Sequence, residues 1–310
     1  MKIDDATILS KSAGIEANIL KKNDIAHLFI NHDKVVGIHA VPGLDIKTKP
    51  IENGLDIRVL LKKNTNVAHP VQMCFGMIPK KGIQRINMDV IIEEHASIDV
   101  IAHCTFPNAV DVQHIMNATI SIKDHASYSY FERHVHGQKS GITVIPKAKI
   151  TLGPYARYKT DFELLKGRVG VIDIDYETTC ASYSTLEMNA RINATHNDTV
   201  KIREVGHLTG EHAHGVLLSR VAVRDTANAS VFSELTASAA YARGHVDCKE
   251  IVQDYGTVSA IPVVKVNHPK AYITHEASLG SVDSKQLQTL MARGLTEDEA
   301  TDMIIQGLLT

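Results

Sequence analysis

One short unit recurs along this chain and constrains its fold more than any other feature. Glu94-His95-Ala96-Ser97 returns as Asp124-His125-Ala126-Ser127 and again as Pro154-Tyr155-Ala156-Arg157, at intervals of 30 residues. Related corners follow, less regularly spaced, at Thr179-Cys180-Ala181-Ser182, Glu211-His212-Ala213-His214 and Thr226-Ala227-Asn228-Ala229. Between corners, short segments rich in Val, Ile, Thr and Tyr alternate apolar and polar residues. A strand–corner unit repeating at this length is the mark of a solenoid. The period of two excludes a helical repeat. From Asp56 to Ser278 there is no Asn-Gly or Asp-Gly, the dipeptides that tight hairpins of a sandwich favour. Small corner residues suit coils stacked at the ~4.8 Å spacing of paired strands. The expectation is a mostly β chain built as a parallel β-helix.

The ends read differently. Residues 1–69 read as a small mixed cap, 70–280 as the β-helix core and 281–310 as a helical segment. In the cap, Ala6 to Asn23 has helical apolar spacing weakened by Gly14. Leu28–Ile30 and Val35–His39 then read as a strand pair around a polar turn. At the other end, Asp283 with Gln286 and Thr296 with Glu299 are capping boxes, each followed by an apolar stripe, so two C-terminal helices are expected. They are expected to cap the last coil or to present an apolar face to a partner.

Composition narrows the function classes. Net charge is −2 and there is no dense basic stripe, which argues against nucleic acid. No apolar run approaches the ~18 residues of a membrane helix, and no basic-then-apolar leader is visible, so a cytoplasmic protein is expected. There are 17 histidines and four cysteines, Cys74, Cys104, Cys180 and Cys248, without a CxxC pair. A closed Cys₄ zinc site is therefore not expected. No Walker or GxG-type phosphate loop is present, so ATP would be hydrolysed by a partner.

Three segments carry a resemblance to a known family. HEASLGSVDSKQLQTLMARGLTEDEATDMIIQG (275–307) resembles the C-terminal signature of the SufB/SufD scaffolds of iron–sulfur cluster assembly. HVDCKEIVQDYGTVSAIPVVKVNHPKAYITHEA (245–277) places Cys248 on a cysteine that the SufB branch uses at its cluster-assembly site. IIEEHASIDVIAHCTFPNAVDVQHIM (91–116) places Cys104 and His114 on a cysteine and histidine linked in that branch to sulfur acceptance. The resemblance spans about Pro70 to the end.

It implies a right-handed parallel β-helix that pairs through its last coils, docks a Suf-type ABC ATPase through its C-terminal helices, and takes sulfur from a cysteine desulfurase. A cluster, expected as [4Fe–4S], would form at the subunit interface of a homodimer. Cys248 would be a ligand, with Glu276, then His275, then Asp247 or Glu250 as the second. The chain would be a scaffold, not an enzyme. Three departures stand out: the long N-terminal region of SufB is missing, Gly76 stands where an Arg follows the Phe of PVQMCFGM, and Thr119 and Thr274 stand where acids are common.

The residues themselves add detail. In an extended segment Val246, Cys248 and Glu250 share one face, Asp247 and Lys249 the other, while His275 and Glu276 point oppositely. Thiolate suits cluster iron, and imidazole or carboxylate can complete a labile site. Cys104 and Cys248 lie about six coils of ~25 residues apart, roughly 25–30 Å, which suits a relay in which one receives sulfur and the other holds product. His134-Val135-His136 and His212-Ala213-His214 can each put two imidazoles on a strand face. Cys74 and Cys180 read as structural thiols. Two other classes compete: a metal-free β-helix adaptor for the ATPase, and an exported carbohydrate-active β-helix enzyme. The latter fits poorly with 5% aromatic residues.

Overall fold

A computed structural model describes residues 4–309 apart from 17, 138, 140 and 169. The described residues form a parallel β-solenoid of two facing sheets, one of ten strands and one of nine. From Val71 onward successive strands alternate between the sheets, and each pairs in parallel with the strand two later. Stacking also reaches upstream, because His27–Asn31 lies parallel to Val71–Gly76 and Gly54–Leu61 to Lys81–Ile92. Two antiparallel pairs close this end, His27–Asn31 with Lys34–His39 and Leu44–Ile51 with Gly54–Leu61.

Alternation makes the core. In Thr185–Ala194 the residues Leu186, Met188, Ala190, Ile192 and Ala194 are buried, while those between them are not. The same parity runs through neighbouring strands in register, so inward residues stack into columns along the solenoid axis. One apolar cluster fills the bore from Ala26 to Cys248.

The recurring corners are real turns, and they hold a left-handed residue. His95, His125, Tyr155, Tyr183, His212 and Tyr241 have φ between 56 and 59°, a region that disfavours a side chain by roughly 1–2 kcal/mol. Two interactions offset that cost. The rings stack one upon the next at 4.6–4.8 Å. Each backbone N–H also donates to a carbonyl of the following coil, as from His95 to Asp124 and from His125 to Pro154.

This ladder corrects two expectations. The corner read at Thr179–Ser182 is displaced: Cys180 ends the strand Gly170–Cys180, and the turn falls at Ser182-Tyr183. Thr226–Ala229 belongs to the opposite edge, where His196, Asp225 and Asp254 take the left-handed position. Within the ladder the coil length is therefore 28–30 residues, not ~25.

The N-terminal helix is shorter than its periodicity predicts. It runs Asp5–Ala13, with the Asp4 carboxylate accepting from the Thr7 N–H, and stops where Gly14 turns left-handed at φ 71°. Its Leu9 packs with Phe29 and Cys74. A Cβ on Gly76 would stand 2.3 Å from Leu9 Cδ2, which is why no larger side chain fits there.

Two C-terminal helices are present, Ser284–Met291 and Glu297–Leu309, with the Asp283 cap and the Thr296–Glu299 box both formed. They do not cap the last coil. Ile305 and Leu309 pack against Ala222 on the flank, with Leu165 and Ile251 alongside, and Arg191 donates to the Leu309 carbonyl. The edge strands Thr257–Val266 and Tyr272–Gly280 therefore end both sheets without a further neighbour among the described residues.

Candidate functional site

The two cysteines singled out in the sequence both point into the bore, on the same sheet. Cys104 lies on Ser97–Phe106 and Cys248 on Arg243–Val252, five strand steps apart, or about 24 Å at ~4.8 Å per step. They occupy neighbouring columns. One runs Ala102, Glu132, Phe162, Ala190, Ser219, Cys248, Ala277. The other places Cys104 beside His134 and, further along, Ile192, Val221 and Glu250.

Around Cys104 the structure gathers a buried polar network. His114, on the facing sheet, brings Nε2 to 3.6 Å from Cys104 Sγ. The thiol donates to Glu132 Oε1 at 3.4 Å, and that oxygen lies 2.7 Å from His134 Nε2. The chain continues from His134 Nδ1 to His136 Nε2 at 3.1 Å, and from His136 Nδ1 to the Arg168 carbonyl at 3.3 Å. Burial, and then the Glu132 charge, push the Cys104 thiol well above its ordinary range. Burial, with His134 beside it, drives His114 down to about 3, so its ring is neutral. Burial alone would raise Glu132, but hydrogen bonding and charge from His134, with His114 and Cys104 behind, hold it below the usual range.

Glu132 did not attract notice in the sequence, although its parity was visible: Glu132, His134 and His136 alternate with outward residues in one strand. His134 and His136 do share a face, and both are buried. The other pair does not, because His212 occupies a left-handed corner while His214 opens the strand His214–Val223.

Cys248 sits one coil from the open end. Burial raises its thiol, opposed by hydrogen bonds with Ser219 and Ser233. Glu250, two residues along the same inward row, accepts from Ser219 at 2.8 Å and is pushed up by burial to about 7. Glu204, across the bore, is pushed up by burial to about 8. On the outer face Asp247 pairs with Arg220 and Lys249; burial opposes ionisation there, but these cations hold its carboxyl below the usual range.

The register separates the two expected partners of Cys248. His275 pairs with Val246 and so lies in the inward row of Cys248, whereas Glu276 pairs with Asp247 on the outer row. Both are exposed on the terminal strand. Cys74 and Cys180 are buried, and burial lifts both thiols to about 12.

Two facing columns, of small, polar and aromatic residues, join the two cysteine regions. On the facing sheet Ala118, Ala148, Tyr176, Glu204 and Ser233 stand in one column. Between Glu132 and Cys248 on the first sheet stand only Phe162, Ala190 and Ser219.

The family described as SUF system FeS cluster assembly, SufBD core domain, matches residues 78–308. An iron–sulfur cluster assembly SufBD family protein of Methanocaldococcus jannaschii is 36% identical over 93% of this chain and 93% of its own length. A protein of the same description from Pyrococcus horikoshii is 34% identical over 96% of this chain and 91% of its own. The iron–sulfur cluster assembly protein SufB of Bacillus subtilis is 35% identical, over only 22% of this chain and 15% of its own length.

Proposed function

The chain belongs to the SufBD family of iron–sulfur cluster assembly proteins, and on that premise we propose that it is a scaffold on which a cluster is built and released. The observation that carries this reading is the position of Cys248. It is the thiol nearest the open end of the bore, hydrogen-bonded to Ser219 and Ser233, with His275 exposed in its row on the terminal strand. The cluster is the cargo of this site, most simply a [4Fe–4S] centre, which takes about one protein ligand per iron.

One thiol per chain is too few, and a two-fold pairing of open ends would supply each ligand twice. The uncovered edge strands, with Ile261, Tyr272 and Leu279 exposed, are the surface for that homodimer. The register favours His275 over Glu276 as the second ligand, with Glu276 left for the outer rim. Imidazole holds cluster iron less firmly than thiolate, which suits release.

Sulfur would arrive at Cys104 from a cysteine desulfurase. Its thiolate attacks the terminal sulfur of the donor persulfide, a new S–S bond forms, and the donor thiolate leaves. Glu132, which accepts from the thiol, is the group placed to take its proton, while the His114 ring beside Sγ steadies the thiolate. The facing columns that run from Glu132 past Ala190, Ser219 and Glu204 are the route onward to Cys248. ATP hydrolysis belongs to a Suf-type ABC ATPase docked on the C-terminal helices, where Met291 and Met303 are exposed. No helix among the described residues is long and apolar enough to cross a membrane, and a cytoplasmic location fits this reading.

The test is anoxic reconstitution with iron and sulfide. Cys248→Ala should lose the cluster absorbance, while Cys104→Ala should assemble normally from sulfide yet fail when sulfur comes from a desulfurase. A full-intensity cluster on Cys248→Ala would overturn the assignment.

A further inference from the structure

The proton arrangement around Glu132 has a second meaning. His136 Nδ1 has only the Arg168 carbonyl to meet, so it carries the proton and leaves Nε2 as an acceptor. His134 Nδ1–H must then donate to His136 Nε2, which leaves His134 Nε2 as the atom facing Glu132. A backbone carbonyl acting through one imidazole to fix the tautomer of a second is the support that metal-binding histidines have. The contact between His134 Nε2 and Glu132 Oε1, 2.7 Å, needs one shared proton, and the Cys104 thiol holds another beside it.

We propose that Cys104 Sγ, Glu132 and His134 Nε2 form a second, interior site for a single divalent transition ion of the zinc or iron(II) class. Their donor atoms lie within 4.8 Å of one another. Donors around a tetrahedral ion of this class stand about 3.4–3.6 Å apart. The sulfur–carboxylate distance is already 3.4 Å, and the 2.7 Å contact of Glu132 with His134 would widen as its proton leaves. Charge is conserved: the ion replaces the thiol proton and the shared Glu132–His134 proton, so two protons leave as one dication arrives.

His114 completes the surroundings without joining the ligands. Its Nδ1 is buried without a partner, so the proton belongs on Nε2, donating to the sulfur. Three protein ligands then leave one position open, the pattern of a reactive site rather than a closed structural one. Space and access exist for it. Pairing between Ile142–Leu152 and Gly170–Cys180 lapses at Ile145 and Pro146. Behind that gap a cavity of about 30 Å³, walled by Ala118, Pro146, Ala148 and Tyr176, reaches Glu132, and a water needs only about 10–15 Å³.

This inference rests on the donor geometry and stands whether or not Cys104 receives sulfur. Cobalt(II) is the probe, titrated anoxically into the full chain carrying Cys248→Ala, which removes the proposed cluster ligand. The expected result is one cobalt per chain, with thiolate-to-cobalt charge transfer, tetrahedral ligand-field bands and two protons released. Cys104→Ser in that background should abolish the charge-transfer band. His136→Leu, which removes no ligand atom, should weaken cobalt binding about 10–100-fold through loss of the tautomer support on His134. Circular dichroism confirms that each variant is folded. A charge-transfer band that survives Cys104→Ser, or no band in the folded Cys248→Ala chain, would overturn the site. Either result leaves the cluster assignment at Cys248 to its own test.

Discussion

At the scale of single residues, the bore of this solenoid holds acids in a place where most solenoids hold only apolar groups. Glu204 is the clearest case, buried and pushed up by burial to about 8. A carboxyl raised in the folded state binds a proton that the unfolded chain gives up near its ordinary value. Folding is therefore favoured at low pH and loses stability as pH rises from about 4.5 through 8. Glu204→Gln should raise the melting temperature at pH 8 and change it little near pH 5. Thermal melts at the two values check this, and equal effects at both would contradict it. At the terminal strand, His275→Ala should weaken a reconstituted cluster more than Glu276→Ala, because only His275 lies in the row of Cys248. Cluster absorbance and iron content after desalting read the difference. The sequence made Cys104, His114 and Cys248 visible through family motifs. It hid Glu132 and Glu204, since an acid in a strand reads as an outward residue even where its parity with inward neighbours is visible.

At the scale of elements, the corner is the unit that repeats, and its ring is held by neighbours rather than by its own strand. His125 stacks on His95 and on Tyr155, and its φ of 58° would suit glycine. His125→Ala keeps the backbone cost and loses both stacks, worth about 1–3 kcal/mol together. His125→Gly loses the stacks but relieves the backbone, so it should be the milder change in a urea titration. The corner texture was legible because small residues follow each ring. The corner at Thr179–Ser182 misleads because Cys180-Ala181-Ser182 imitates that texture three residues before the true left-handed residue, Tyr183. The N-terminal helix was overread for a related reason: apolar spacing continues past Gly14, but the left-handed cap ends the helix there. The flank position of the C-terminal helices was not legible at all. An apolar stripe shows that a helix packs, not which surface receives it, and here Ala222 and Ile251 form it.

At the scale of the whole molecule, stacking leaves one end unfinished. The final strands present unpaired edges and exposed Ile261, Tyr272 and Leu279, the surface assigned above to the proposed homodimer. Ile261→Asp with Tyr272→Asp should yield a folded monomer by sedimentation, with sheet circular dichroism intact. If the double variant stays dimeric, pairing occurs elsewhere. Met303→Glu changes a side chain that is 50% exposed, so under the proposed docking it should abolish co-purification with a Suf-type ATPase without loss of stability.

The stacked register has a consequence for how such a molecule can change length. From His95 to Tyr241 each corner meets the next through the same kind of backbone hydrogen bond and the same ring contact, so a whole coil can be inserted or removed there without disturbing the seams on either side. A slip by an odd number of residues within a strand cannot, because it would turn each inward column outward. The gap between the thiols of Cys104 and Cys248 is thus counted in whole rungs. Adding one 29-residue coil between them would lengthen it by about 5 Å while leaving each thiol its own neighbours.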